Sequence, residues 1–330
     1  MTKLRLCTNR QEWDDFVLEN NGHPLQLWGW GELKSAHGWR VDRLFMIDNQ
    51  NEVVAGAQLL VRKLPWPLKS IAYIPRGPIT DENIVEELLN EIARYAKEVY
   101  HSVCLSIEPD LEKFVIPTGW KKSPNHILPS KTIILDLNES DAELMSEMDK
   151  KTRQYIRKSA SEDIKIKKVH TKEELIKCLD LYKATAKRAK FGLHNDQYYY
   201  DIFEKLKDHS PIFAVFIDDD PIAFLWLAIS ADTAFELYGG VNETGQRLRV
   251  NYALKWHAIL KCKEWGLARY DFAGLIEGGV STFKKGWAEE ETKLAGTFDR
   301  PLSLFYGIWS IGFPGFKKII RGIKSLIGKK

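Results

Sequence analysis

The sequence predicts a duplicated α/β fold, two successive β-β-β-α-β units, each a mixed twisted sheet flanked by helices. Three observations carry this. A hairpin signature lies near the centre of each half of the chain. A further strand and a glycine-containing loop follow each hairpin. A helix of period 3.6 and a buried strand then close each unit.

In the first half, Arg43–Ile47 and Val53–Val61 are β-rich runs around the turn residues Asp48-Asn49-Gln50-Asn51. Ser70–Tyr73 reads as the next strand and Arg76-Gly77-Pro78 as the loop after it. The helix covers roughly Glu82–Val99, apolar at Ile84, Leu88, Ile92 and Tyr95. Ser102–Ile107 is the closing strand. The second half repeats the order. Ile212–Ile217 and Ile222–Ser230 flank Asp218-Asp219-Asp220-Pro221, and Ala234–Tyr238 ends in a loop at Gly239-Gly240. A helix over roughly Leu248–Trp265 is apolar at Tyr252, Leu254, Trp256, Ile259 and Leu260, and Ala268–Phe272 closes the unit.

Between the halves Thr132–Leu137 is strand-like, and Ser140 with Glu143 makes a capping box. The junction is therefore expected near Asp136–Asp149, with domain 1 over residues 1–140 and domain 2 over 141–311. The terminal helix, 312–330, is expected to pack on domain 1.

Length and composition narrow the class. A chain of 330 residues accommodates two domains, and 44% hydrophobic with 28% charged residues is a globular balance. Eleven tryptophans offer planar surfaces to a substrate as well as to a core. A net charge of +3 does not by itself mark a nucleic-acid binder. Cys7, Cys104, Cys178 and Cys262 are scattered, without metal or redox spacing, so neither a metal nor a cofactor is expected. No signal-peptide pattern opens the chain, and no run approaches the ~20 apolar residues of a membrane span. The cytoplasm is the expected compartment. G-x-x-x-x-G-K-[ST], H-E-x-x-H and G-x-S-x-G do not occur, nor does a complete G-x-G-x-x-G after a strand.

Several residues carry chemistry, each with a plain structural alternative. Tyr238, at a strand end, either hydrogen-bonds a substrate carbonyl or amine or caps the core. In Phe283-Lys284-Lys285-Gly286-Trp287, a lysine held between aromatics supplies a fixed cation for a developing oxyanion, or the segment is a solvated turn. His194 precedes Tyr198-Tyr199-Tyr200 and contacts a phosphate or a sugar, or belongs to an N-cap region closed by Asn195 or Asp196. Trp28, Trp30, Lys34 and Trp39 cluster aromatics around a cation, with Trp30 and Lys34 at i,i+4 on a helix over Trp28–Ala36. That suits a nucleotide, or a core with a snorkelling lysine. Lys150, Arg153 and Arg157 share a helix face fit for a phosphate backbone, or simply for solvent. In Pro314–Lys330, apolar Phe316, Ile319, Ile320 and Ile323 oppose Lys317, Lys318, Arg321 and Lys324, which suits a membrane interface or docking on the protein itself.

Taken in order, these pieces resemble the Fem family of peptidoglycan bridge-forming aminoacyltransferases. The resembling text runs from Leu27-Trp28-Gly29-Trp30-Gly31-Glu32-Leu33-Lys34 and Tyr73-Ile74-Pro75-Arg76-Gly77-Pro78 through the basic helix Lys151–Lys158. It continues through Leu237-Tyr238-Gly239-Gly240, Asn251-Tyr252-Ala253-Leu254-Lys255-Trp256, Tyr270-Asp271-Phe272-Ala273-Gly274 and Phe283-Lys284-Lys285-Gly286-Trp287. The resemblance implies two tandem GNAT-like (acyl-CoA N-acyltransferase-like) domains. It also implies transfer of an amino acid from aminoacyl-tRNA to the side-chain amine of a muramyl peptide. Without a coiled-coil arm the chain is similar to the short members, which act on UDP-MurNAc-pentapeptide, whereas longer ones act on lipid II.

By the same resemblance Lys34 contacts the nucleotide diphosphate, Trp30, Phe283 and Tyr198 line the substrate site, and Lys150, Arg153 and Arg157 meet the tRNA. Lys284 matches the lysine that steadies the tRNA terminus or the oxyanion, and Glu108 the acidic residue of the first half. Tyr238 or Glu108 is then a candidate proton acceptor, as is the departing ribose hydroxyl. Two departures stand out: His194 where members carry arginine, and Glu236 where many carry a second tyrosine. The implied partners are aminoacyl-tRNA and the muramyl peptide; the amphipathic terminal helix leaves peripheral contact with the inner membrane face open beside docking on the protein itself, and a monomer is expected.

Overall fold

The computed structural model describes residues 2–160, 162, 164–189, 191–275 and 279–311. The terminal helix expected over 312–330, and Gly278 of the glycine pair before Phe283, lie outside the described residues.

The chain opens with β1 (Lys3–Leu6), α1 (Arg10–Glu19), α2 (Trp28–Ala36), β2 (Arg40–Ile47), β3 (Val53–Lys63) and β4 (Ser70–Pro75). There follow α3 (Val85–Tyr100), β5 (Ser102–Glu108), β6 (Lys121–Lys122), β7 (Lys131–Thr132), β8 (Ile134–Asp136), α4 (Asp141–Glu147) and α5 (Lys150–Ala160). Next come β9 (Lys165–Lys168), α6 (Lys172–Ala189), α7 (Asp196–Leu206), β10 (Ile212–Ile217), β11 (Asp220–Ile229) and β12 (Thr233–Val241). The last are α8 (Glu243–Leu248), α9 (Val250–Glu264), β13 (Arg269–Asp271), α10 (Gly279–Lys285), β14 (Thr292–Lys293) and β15 (Phe298–Pro301), and residues 306–311 are helical.

Two compact units result. The first gathers residues 2–13, 34–130 and 294–311; the second gathers 14–33 and the described residues of 131–293. The first unit's sheet runs β1-β2-β3-β4-β5-β15-β6, with β4 and β5 parallel. The second unit's runs β8-β13-β12-β11-β10-β9, with β12 and β13 parallel. Each parallel pair is bridged by a helical crossover, α3 in one unit and α8–α9 in the other. The expected duplication is present, and it is longer than the sequence indicates. β1 and β9 each precede two helices and pair antiparallel with the first strand of the hairpin.

The boundary differs from residue 140. Register joins Ile134–Asp136 to Arg269–Asp271 and Phe298–Pro301 to Cys104–Ile107. The strand before the second unit therefore completes the second sheet, while the strand after it returns to the first. The single strand expected over Thr132–Leu137 is split, because β7 pairs with β14 and β8 with β13.

A second difference concerns Gly239-Gly240, which is strand rather than loop. β12 continues to Val241 against β11. A Cβ on Gly240 would stand 2.8 Å from the Phe224 ring, so glycine admits the cross-strand phenylalanine. The capping box at α4 is as expected, Ser140 and Glu143 satisfying each other's backbone N–H. The first core packs Leu44, Leu59 and Ile74 on Leu88 and Ile92 of α3. The second packs Val215, Leu227 and Tyr270 on Leu254 and Ile259 of α9, with Trp287 fully enclosed.

Candidate active site

A bulge in β12 organises the second unit. Tyr238 pairs with Trp226 and Glu236 with Leu227, so two residues that a regular strand would point the same way face opposite sides. Tyr238 turns to α6 and α7. Its ring meets those of Tyr199 at 5.1 Å, Tyr182 at 5.4 Å and Trp226 at 5.8 Å. Tyr198 joins the cluster through Tyr199, their ring centres 6.0 Å apart. Burial pushes the Tyr238 phenol well above its ordinary value, and the neighbouring tyrosines add to the shift. His194 is exposed and stacks on Tyr198 with ring centres 3.9 Å apart. Asn195 supplies the cap of α7 through the Tyr198 N–H at 3.0 Å. The local sequence thus builds an aromatic wall with one imidazole at its rim.

Glu236 faces α9 instead. Its carboxylate accepts from Lys255 and from Tyr270 Oη at 2.8 Å, and all three residues are buried. Burial lowers the Lys255 ammonium, Glu236 opposes, and the nearby Lys284 lowers it further. The Lys255 Nζ lies 4.2 Å from the centre of the Phe272 ring, 5.1 Å from Phe283 and 5.8 Å from Trp287.

Lys284, on α10, donates to the carbonyl oxygens of Phe272 and, at 3.0 Å, Gly274. Ala273 and Gly274 both have positive φ there, 58° and 99°, so the lysine secures a strained exit from β13. An ammonium has three donors, which leaves one beyond these two carbonyls. Gly286 then lets α10 approach α5, since a Cβ would stand 2.5 Å from Thr152 Oγ1. Lys284 is thus a fixed ammonium beside the aromatic-lined Lys255–Glu236 pair, together a lysine locus.

In the first unit Glu108 is 1% exposed and closes β5. Its oxygens accept from Tyr73 Oη, Thr297 Oγ1 at 2.6 Å, and the N–H groups of Ile127 at 2.9 Å and Leu128 at 3.1 Å. A carboxylate so fully engaged suits anchoring of the 127–128 backbone better than proton acceptance. Lys34 is half-buried; burial first and Arg62 second hold its ammonium down at about 8. Arg62 stands 5.4 Å over Trp39, which neighbours Tyr73.

The expected residues thus fall into groups. Tyr238, Tyr198 and His194 share the aromatic wall; Lys284 and Phe283 share the lysine locus; Lys34 and Glu108 belong to the first unit. Trp30 is buried in the second unit. One expectation needs correction. Arg153 does not stand free beside Lys150 and Arg157, because its guanidinium donates to the Met145, Ser146 and Met148 carbonyls and caps α4. Lys150 and Arg157 are exposed on α5.

Sequence reading did not single out Lys255 or Tyr182. For Lys255 a signal existed, since it lies three and four residues before Ala258 and Ile259, on the buried arc of α9.

The FemAB family model matches this chain over residues 8–113, 118–223 and 215–310. The lipid II:glycine glycyltransferase of Staphylococcus haemolyticus is 28% identical over 243 residues, covering 67% of this chain and 57% of that protein. The chain therefore spans under two thirds of the length of that relative. A crystal structure of FemX superposes with a TM-score of 0.78 at 20% identity, over 91% of this chain and 97% of the other. A tandem GNAT protein from the clavulanic acid biosynthesis pathway superposes with a TM-score of 0.51 at 11% identity, over 92% and 99%. The fold is accordingly a tandem of GNAT-like units.

Proposed function

The chain belongs to the FemAB family, and from that premise we propose that it is an aminoacyltransferase, moving an amino acid from aminoacyl-tRNA to the side-chain amine of a peptidoglycan precursor. The observation that carries the reading is the lysine locus at the end of β13, where Lys284 is held on two carbonyls beside Lys255. The relatives named for glycine transfer to lipid II support a muramyl-peptide acceptor.

The chemistry asks for little more than alignment and charge. The aminoacyl ester is already activated. The acceptor amine attacks its carbonyl, a C–N bond forms, the C–O ester bond breaks, and the ribose oxygen leaves with a proton. The remaining N–H of Lys284 stabilises the oxyanion while its other two keep the ammonium in place. Lys255, paired to Glu236, fixes the packing behind it. The aromatic wall of Tyr198 and Tyr238, with His194 at its edge, suits the planar and phosphate parts of a nucleotide-linked acceptor. Lys150 and Arg157 supply exposed cations for the RNA backbone. Glu108 acts as an anchor.

The test is direct. Purified protein, mixed aminoacyl-tRNAs and either UDP-MurNAc-pentapeptide or lipid II are incubated, and the acceptor is weighed by mass spectrometry. A gain of one residue that disappears with ribonuclease supports the reading and names the amino acid. An unchanged mass with both acceptors refutes it.

A further inference from the structure

Residues 304–311 of the first unit are apolar on both sides. Tyr306 and Trp309 turn inward and pack with Ile71, Val103 and Cys104. Leu304, Phe305, Ile308 and Ile311 turn outward, Leu304 fully exposed and Ile311 81% exposed. A surface helix ordinarily shows its polar face to water. The inversion is joined by the loop between β3 and β4, whose Leu64 and Leu68 pack against the same buried cluster. Between them Trp66 stands 87% exposed. The two segments rest on one small core and each turns large apolar side chains to solvent, a display that soluble monomers seldom make.

Cations accompany it. Arg62, Lys63 and Lys69 flank Trp66 and are exposed. Residues 300–311 contain no Asp or Glu. Asp299, just before, is buried and accepts from Ser106 and Tyr306. Tryptophan beside lysine and arginine, with aliphatic side chains projecting next to them, is the composition that inserts at a headgroup boundary. We propose that Trp66, Leu304, Phe305, Ile308 and Ile311 form the surface by which the first unit seats on an anionic lipid bilayer. No helix among the described residues is long and apolar enough to cross a membrane. The inference stands independently of the transfer reaction.

The experiment sediments the full-length protein with vesicles of equimolar phosphatidylglycerol and phosphatidylcholine, and with phosphatidylcholine alone. Binding to the first, at least about tenfold weaker on the second and weakened by salt, is expected. Trp66→Ala/Ile308→Ser, both exposed and so compatible with an unchanged melting curve, lowers vesicle affinity about tenfold or more. Lys63→Glu/Lys69→Glu removes most of the preference for the anionic lipid. The proposal is overturned if wild-type protein stays in the supernatant or if the double apolar variant binds as well as wild type. It is also overturned if ultracentrifugation without lipid shows a dimer that the double variant abolishes, for the face then belongs to a second copy.

Discussion

The two units repeat one order of elements and end their parallel strands differently. In the first, β5 finishes at Glu108, whose carboxylate is filled by two hydroxyls and two backbone N–H groups. In the second, β13 leads into a turn held by Lys284, with Lys255 close behind. The crossover helices differ in the same sense. α3 buries Leu88, Leu89, Ile92, Ala93 and Ala96, all apolar. α9 buries a comparable set that includes Lys255. At this strand end one copy holds a carboxylate with its acceptors filled, and the other a lysine with a donor to spare beside a buried ion pair. A repeated fold therefore does not imply a repeated site; the chemistry lies in a few substitutions on shared geometry.

The largest expected effect that sharpens this contrast concerns the buried ion pair. Lys255→Met leaves the Glu236 carboxylate buried without its cation and lowers stability by about 3–5 kcal/mol in urea unfolding. Lys255→Met/Glu236→Leu recovers most of that loss; equal midpoints for the single and double variants would break the argument. Glu108→Gln comes next. It puts an amide N–H among donors and costs about 1–3 kcal/mol, while transfer per folded molecule stays unchanged. Gly240→Ala crowds the Phe224 ring and costs about 1 kcal/mol, read as a shift in melting temperature, because β12 runs on where β4 stops.

The smallest effect is on pH dependence. Below about pH 8, Lys34 is protonated both folded and unfolded, and the folded state bears the burial of its charge. Between there and the ordinary value of 10.5 the unfolded chain binds more protons, so stability rises with pH. Lys34→Met flattens that rise in denaturation curves taken across the window. A residual slope remains from Lys255, which burial lowers too.

Much of this was legible in the sequence. The hairpins could be read because Asp48 to Asn51 and Asp218 to Pro221 have the local chemistry of turns, and turns act over a few residues. Capping at Ser140 is equally local. What escaped is non-local or context-bound. Nothing in Ile134–Asp136 or Phe298–Pro301 tells which sheet each will join, since that depends on partners some 135 and 190 residues away. Gly239 and Gly240 read as a loop because glycine punctuates chains; only the facing Phe224 makes them strand. Arg153 read as a nucleic-acid contact because its spacing matched Arg157, but carbonyls of the preceding helix claimed it. Lys255 lay hidden because a lysine in a helix is ordinarily solvated.

The central claim is that the second unit's lysine locus performs the transfer while the first unit's matching strand end is structural. The most direct measurement is single-turnover aminoacyl transfer from charged tRNA to the muramyl peptide, run side by side on wild type, Lys284→Met and Glu108→Gln. The account predicts a fall of about 100- to 1,000-fold for Lys284→Met, with acceptor affinity unchanged, and a wild-type rate for folded Glu108→Gln. A wild-type rate in Lys284→Met, or a comparable fall in Glu108→Gln, would contradict it.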